Sequence, residues 1–109
     1  MVYKHFKNNY YLLLGEAIEI AKDEVFMIYM QLWDTYGIWV RPKFSFFETI
    51  YRNDQWVKRF ALATENEIKG IYIPRISLDK QTMMKNPITG NSYRYFGKKE
   101  DYYEIVAIS

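Results

Sequence analysis

Apolar and aromatic residues fall in short runs separated by polar breaks. VYKHF (2–6) stops at KNN (7–9), and YYLLLGEAIEIA (10–21) stops at KDE (22–24). VFMIYMQLW (25–33) then stops at DTYG (34–37), before IWVRP (38–42). Runs of this length and spacing predict strands joined in hairpins. A single helix through 10–33 is the rival, since Glu16, Ala17, Glu19, Lys22 and Glu24 are good helix formers. The β-branched and aromatic residues of FMI, IYM and WV, without a sustained helical stripe, favour strands. Alternation assigns the faces. Phe26, Ile28, Met30 and Leu32 form the better core face of the third run, with Val25, Met27, Tyr29, Gln31 and Trp33 opposite. In the fourth run Ile38 and Val40 point inward, while Trp39 and Arg41 share the other side. Gly15 interrupts the long second run, where a bulge or bend would let a strand curl around a small barrel.

Beyond Pro42 the pattern is more broken. KFSFFE (43–48) reads as a helical turn, TIY (49–51) as a short strand, RNDQ (52–55) as a turn and WVKRF (56–60) as extended. ALATENEIKG (61–70) is the best helix candidate, ending at Gly70. IYIPRI (71–76) looks extended, with Pro74 confining it to an edge or bulge. SLDKQTMMKNPITGN (77–91) is polar and punctuated by Pro and Gly, and reads as the longest loop. SYRYF (92–96) and YYEIVAI (102–108) form a closing hairpin. The class predicted is mainly β, or α+β with one short helix, in a single domain spanning 1–109.

The ends of the chain echo each other. Tyr3, Lys4 and Phe6 recur as Tyr93, Arg94 and Phe96, and Tyr10-Tyr11 recurs as Tyr102-Tyr103. The second copy is two residues longer, which preserves strand parity. Chance between two Tyr-rich hairpins explains this as well as a duplication does. Duplicated hairpins would pair within one sheet or between subunits, and a homo-oligomer is expected on that reading.

Composition narrows the function classes. The chain has 11 Tyr, 7 Phe and 3 Trp, a combined 19% suited to pleated surfaces and to interfaces. Net charge is only +2, and neither half is strongly basic, so long-range attraction to nucleic acid has little support. The absence of cysteine excludes disulfides, thiolate nucleophiles and sulfur-ligated zinc. YYLLL is too short to span a membrane, and no secretion signal is legible. The expected location is cytoplasmic, with no membrane partner. Abundant Lys, Asn, Ile and Tyr match the composition of bacteria or phages with AT-rich genomes.

YGIWVRPKFSFFE (36–48), with its surroundings, resembles a bacterial family catalogued as domain of unknown function 1653. The residues carrying the likeness are Tyr3, His5, Phe6 and Lys7; Tyr11, Leu14, Gly15 and Ala17; Tyr29; Gly37, Trp39, Val40, Arg41 and Pro42; Phe47 and Glu48; and Arg59 and Phe60. The likeness covers 2–60, and GIWVRP is its most specific part. Residues 7–9 depart from it, reading Lys-Asn-Asn where Lys-Gly is usual, and 61–109 extend past it with a short helix, a loop and the closing hairpin. The resemblance implies a small SH3-like antiparallel barrel, here extended by a C-terminal β-hairpin. It implies no function.

Catalytic chemistry is poorly supported, and the chain is not expected to be an enzyme. The single histidine, His5, sits on a strand, where it is more often structural than a general base. A metal site would need His5 with Glu16, Glu19 or Glu48, and no ligand spacing supports one. No cofactor is expected. Trp39 and Arg41 are the stronger signal: an indole beside a guanidinium makes a flat cationic platform able to stack a ring and hold a phosphate. Tyr29 and Trp33 would lie nearby across the hairpin, with Tyr36, Lys43 and His5 completing the candidate ligand-binding set. The structural reading of the same pair has Trp39 covering the barrel end and Arg41 bonded to Glu48 or Glu16. Three functions follow: a non-catalytic module binding a phosphate-bearing, nucleotide-like small molecule, for example a sequestering protein of phage or bacterial origin; a nucleic-acid-binding barrel; or a protein-interaction module with paired Tyr-rich hairpins. The first leads, because clustered aromatics and Arg without global basicity suit a compact ligand better than a polymer.

Overall fold

The computed structural model describes residues 1–108. Ten strands form: β1 (Val2–His5), β2 (Tyr10–Glu19), β3 (Glu24–Gln31), β4 (Ile38–Pro42), β5 (Thr49–Arg52), β6 (Gln55–Lys58), β7 (Phe60–Leu62), β8 (Met83–Lys85), β9 (Ser92–Lys98) and β10 (Tyr103–Ile108). Two single-turn helices, α1 (Lys43–Phe46) and α2 (Glu65–Ile68), interrupt them. The protein is mainly β, as the run pattern predicts. β2, β3, β4, β8, β9 and β10 close into a mixed six-stranded barrel, because β10 returns to pair with β2 in parallel. β1 and β7 continue the sheet beyond β2, and β5–β6 form a separate hairpin.

Local chemistry explains the turns. Asn8 (φ 76°), Asp23 (φ 54°), Asp34 (φ 56°) and the pair Asn53–Asp54 (φ 52° and 62°) occupy left-handed conformations that Asn and Asp tolerate best. The two consecutive left-handed residues between β5 and β6 match the twist of a tight hairpin. Gly15 marks the expected irregularity: the β2–β3 register shifts between Leu13 and Gly15. Its missing side chain has a second use. A Cβ there would stand 2.9 Å from Tyr103 Cε2, so any larger residue would force the Tyr103 ring to shift where β10 closes on β2.

The barrel interior holds Ala17, Phe26, Ile28, Val40, Met84, Tyr93 and Ile105. Ile38 packs against this cluster, so the inward assignment of Ile38 and Val40 holds. The expected core face of β3 is only half of what is buried. Met27, Tyr29 and Gln31 on its other face are buried too: α1 and β7 lay Phe46 and Phe60 over Met27 and Tyr29, and Gln31 bonds to the Trp39 indole. A third cluster, Val2, Met30 and Leu32, is roofed by Ile68 and Ile71 around α2.

Three expectations are corrected. The helix expected over 61–70 is split: Ala61 and Leu62 join β7 to satisfy the open edge of β1, and the helix starts only at Glu65. Thr64 sets that start through a capping box, its hydroxyl accepting the Glu67 N–H while Glu67 accepts the Thr64 N–H. The long loop of 77–91 contains β8, a three-residue barrel strand recognised by its partners rather than its composition. The segment 71–76 belongs to no strand. The two echoing hairpins both exist, but their registers differ: Tyr3 faces Tyr11 whereas Tyr93 faces Ala107. They lie in one sheet, joined through the parallel β10–β2 pairing.

Candidate functional site

The covered outer face of β3 is an aromatic network around one cation. Tyr29 meets the rings of Tyr11, Phe46 and Phe60 at 5.3–5.4 Å, and Phe46 stacks on Phe60 at 4.2 Å and 6°. Arg41, 9% exposed, reaches into this network from β4. Its Nε donates to the Tyr29 hydroxyl (3.3 Å), its Nη1 donates to Ser45 Oγ (3.0 Å), and its guanidinium lies 5.8 Å from the Phe60 ring. Among the described residues no carboxylate stands within 4 Å of it. The acids that might have paired with it are engaged elsewhere: Glu48 with Arg59, and Glu16 with Lys43 at 2.7 Å. A buried cation held by neutral oxygens alone keeps most of its field.

Beside this network, between the end of β1 and the β5–β6 hairpin, lies an open cavity of about 470 Å³. His5, Phe6 and Asn8 contribute from one side and Arg52, Asn53, Gln55 and Lys58 from the other, with Lys4, Val57 and Ala61 completing it. The lining therefore carries Lys4, Arg52, Lys58 and His5 and no Asp or Glu. Lys4 is held by Glu67 at 3.2 Å; Arg52 and Lys58 form no ion pair among the described residues.

His5 reports on this field. Burial, and then the charges of Arg41, Arg59, Lys7 and Arg52, push its pKa down to about 4. Its Nδ1 accepts the Lys7 N–H at 3.2 Å, which places the ring proton on Nε2, a donor. An unfolded chain protonates His5 near pH 6.5, whereas the folded chain resists until about 4. The unfolded state thus binds more protons in that window. Stability is full above about 6.5 and falls as pH drops toward 4. With allowance for the ring's partial exposure, the loss should be about 1–2 kcal/mol. Urea denaturation of the wild type and His5→Gln at about pH 7.5 and about pH 4.5 measures it, and an equal fall in both proteins would refute the assignment.

All ten residues lining the cavity fall between Lys4 and Ala61. Over residues 1–62 the chain matches the family described as protein of unknown function, DUF1653. It belongs to that family. A crystal structure of a DUF1653 protein from Bordetella bronchiseptica is similar, with 30% identity and a TM-score of 0.53, covering 68% of this chain and 90% of that one. None of the curated proteins matches the chain. The DUF1653 segment of this chain thus carries the whole cavity, although β8, β9 and β10 beyond it complete the barrel beneath.

The residues expected to bind ligand are partly brought together. Tyr29, Arg41 and His5 converge on the aromatic network, and Trp33, 36% exposed, touches its end through Tyr11 at 5.2 Å. Trp39 and Arg41 share one face of β4, but they do not form the open platform that alternation predicts. Arg41 is covered by Ser45 and the Phe60 ring, while Trp39 donates its Nε1–H to Gln31 Oε1 at 2.9 Å. Trp39 instead borders a separate groove of about 290 Å³ with Met83 and Lys85. Tyr36 lies with the cluster under α2, edge-on to Tyr72, and Lys43 is paired with Glu16. Sequence reasoning missed Phe6, Asn8, Arg52 and Lys58. The tight Asn53–Asp54 turn was the available clue that Arg52 and Gln55 would stand together on one hairpin.

Proposed function

We propose that this DUF1653 protein binds a phosphate-bearing small molecule, without acting on it chemically, in the basic cavity between β1 and the β5–β6 hairpin. The observation that carries the reading is a cavity lined by His5, Arg52, Lys58 and Lys4 with no carboxylate among its residues. Behind it stands Arg41, which bonds to Tyr29 and Ser45 and has no carboxylate within 4 Å among the described residues. Its volume lies within the range of small-molecule sites, roughly 300–1,000 Å³. A neutral His5 with its proton on Nε2 suits donation to an anionic oxygen. The same depressed pKa makes it a poor proton acceptor near neutrality, which argues for binding over acid–base catalysis.

A nucleic-acid-binding barrel is the second reading, favoured by Tyr51 and Trp56, which face each other across β5–β6 with Trp56 70% exposed. A protein-interaction module built from the Tyr-rich hairpins has less support, since β2, β9 and β10 already have strand partners on both edges.

Thermal denaturation with inorganic phosphate, sugar phosphates and nucleotides tests the leading reading. At a hundredfold excess over Kd a bound ligand stabilises by about 2.7 kcal/mol. That corresponds to a Tm rise of roughly 10 °C for a domain of this size. Lys58→Glu, an exposed substitution, should leave the unliganded Tm nearly unchanged and abolish the rise. If no phosphate-bearing compound moves the transition, or Lys58→Glu responds fully, the reading is wrong. Salt-sensitive binding to oligonucleotides, with no response to mononucleotides, would favour the second.

A further inference from the structure

The proposed anion site has a feature that phosphate alone does not use. Arg52 and Phe6 line the same cavity from opposite sides, and the Arg52 guanidinium lies 4.9 Å from the Phe6 ring centroid. Phe6 sits on the barrel side, at the end of β1, where its N–H donates to the Arg59 carbonyl at 3.0 Å. Arg52 sits on the β5–β6 hairpin, which pairs within itself and leans only sparsely on other elements. Beside this pair, Asn8, Asn53 and Gln55, each with a side-chain amide, also line the cavity.

We infer that Phe6 and Arg52 form an aromatic clamp, and that the ligand carries a flat heteroaromatic ring sandwiched between them. This rests on the phosphate-binding reading of the same cavity and names the ligand's class: a nucleoside monophosphate or a close relative. A planar guanidinium stacks on a π-face as readily as a phenyl ring does, so a ring between the two has an attractive surface on each side. Stacked planes lie about 3.4 Å apart, as bases do along a strand, so the present separation must widen by roughly 2 Å. The hairpin's sparse attachment makes that motion easy. Side-chain amides supply both donors and acceptors, the pattern needed to read the edge of a base. Lys58 and the His5 Nε2–H remain for the phosphate.

The test is calorimetric titration of the full chain with inorganic phosphate, ribose 5-phosphate and the four ribonucleoside 5′-monophosphates. At least one monophosphate should bind about tenfold or more tightly than ribose 5-phosphate, the scale expected of base stacking. Phe6→Leu, which keeps apolar bulk, should erase that advantage and leave ribose 5-phosphate binding nearly unchanged; Arg52→Lys, which keeps charge but loses the flat guanidinium face, should bring the ratio of monophosphate to ribose 5-phosphate affinity toward one. A Tm close to wild type shows that each variant is folded. If ribose 5-phosphate binds and no monophosphate binds better, the clamp is wrong and the phosphate reading stands. If both variants keep the nucleotide advantage, the clamp is likewise wrong. If none of the six compounds binds, both ideas fall.

Discussion

A chain cut after Leu62 should not form a stable monomeric barrel, although it retains the whole DUF1653 match and every residue of the cavity. Removing β8, β9 and β10 strips Met84, Tyr93 and Ile105 from the core, each 7% exposed or less. Burial of one such side chain contributes about 1.5–3 kcal/mol, so the three together approach the 5–15 kcal/mol by which domains are stable at all. The loss does not end there. Phe26, Ile28 and Val40, now almost fully buried, would face solvent, and β2 and β4 would each expose an unpaired edge. The truncated chain should lack a cooperative thermal transition and give a poorly dispersed amide spectrum. A sharp, reversible unfolding transition from a monomeric 1–62 fragment would overturn the view that the C-terminal strands are integral to the barrel.

Phe46→Ala should cost about 3–5 kcal/mol, the range for deleting a large buried aromatic. Phe46 is fully buried, stacked on Phe60 and edge-on to Tyr3 and Tyr29. It stands on a single helical turn that cannot reposition without dragging β4. Its void would open beside Arg41, whose Nη1 is bonded to Ser45 on the same turn. The adjacent Phe47, 45% exposed, provides the control, and its replacement by Ala should cost no more than about 1 kcal/mol. Urea denaturation of both variants, with unchanged m-values, decides it. Equal losses at the two positions would mean that α1 is not the cover over the outer face of β3.

The sequence was informative where structure is governed by neighbours along the chain. Alternation in β3 and β4 correctly separates Phe26, Ile28 and Val40 from Tyr29, Trp39 and Arg41. Yet the inference that Arg41 stands open beside Trp39 fails, because alternation names a face without saying what covers it. Phe46 and Phe60, four and eighteen residues beyond Pro42, supply that cover. The site was legible only in part for the same reason. His5 could be singled out as the lone histidine, but its companions Arg52 and Lys58 reach it through a hairpin nearly fifty residues away.

What the chain's order determined unaided is a set of local geometries: where Asn, Asp and Gly permit reversals, which residues share a strand face, and that Gly15 is the place for an irregularity in β2. These follow from steric and periodic rules acting over a few residues. Only the folded molecule decided that β10 closes on β2 and β8 on β4, that both faces of β3 are covered, and that Arg41, Arg52 and Lys58 gather near His5 without an ion pair among the described residues. Those outcomes depend on which distant edges and side chains meet. Meetings of that kind are selected by whole-chain packing and loop closure, to which no short window of sequence has access.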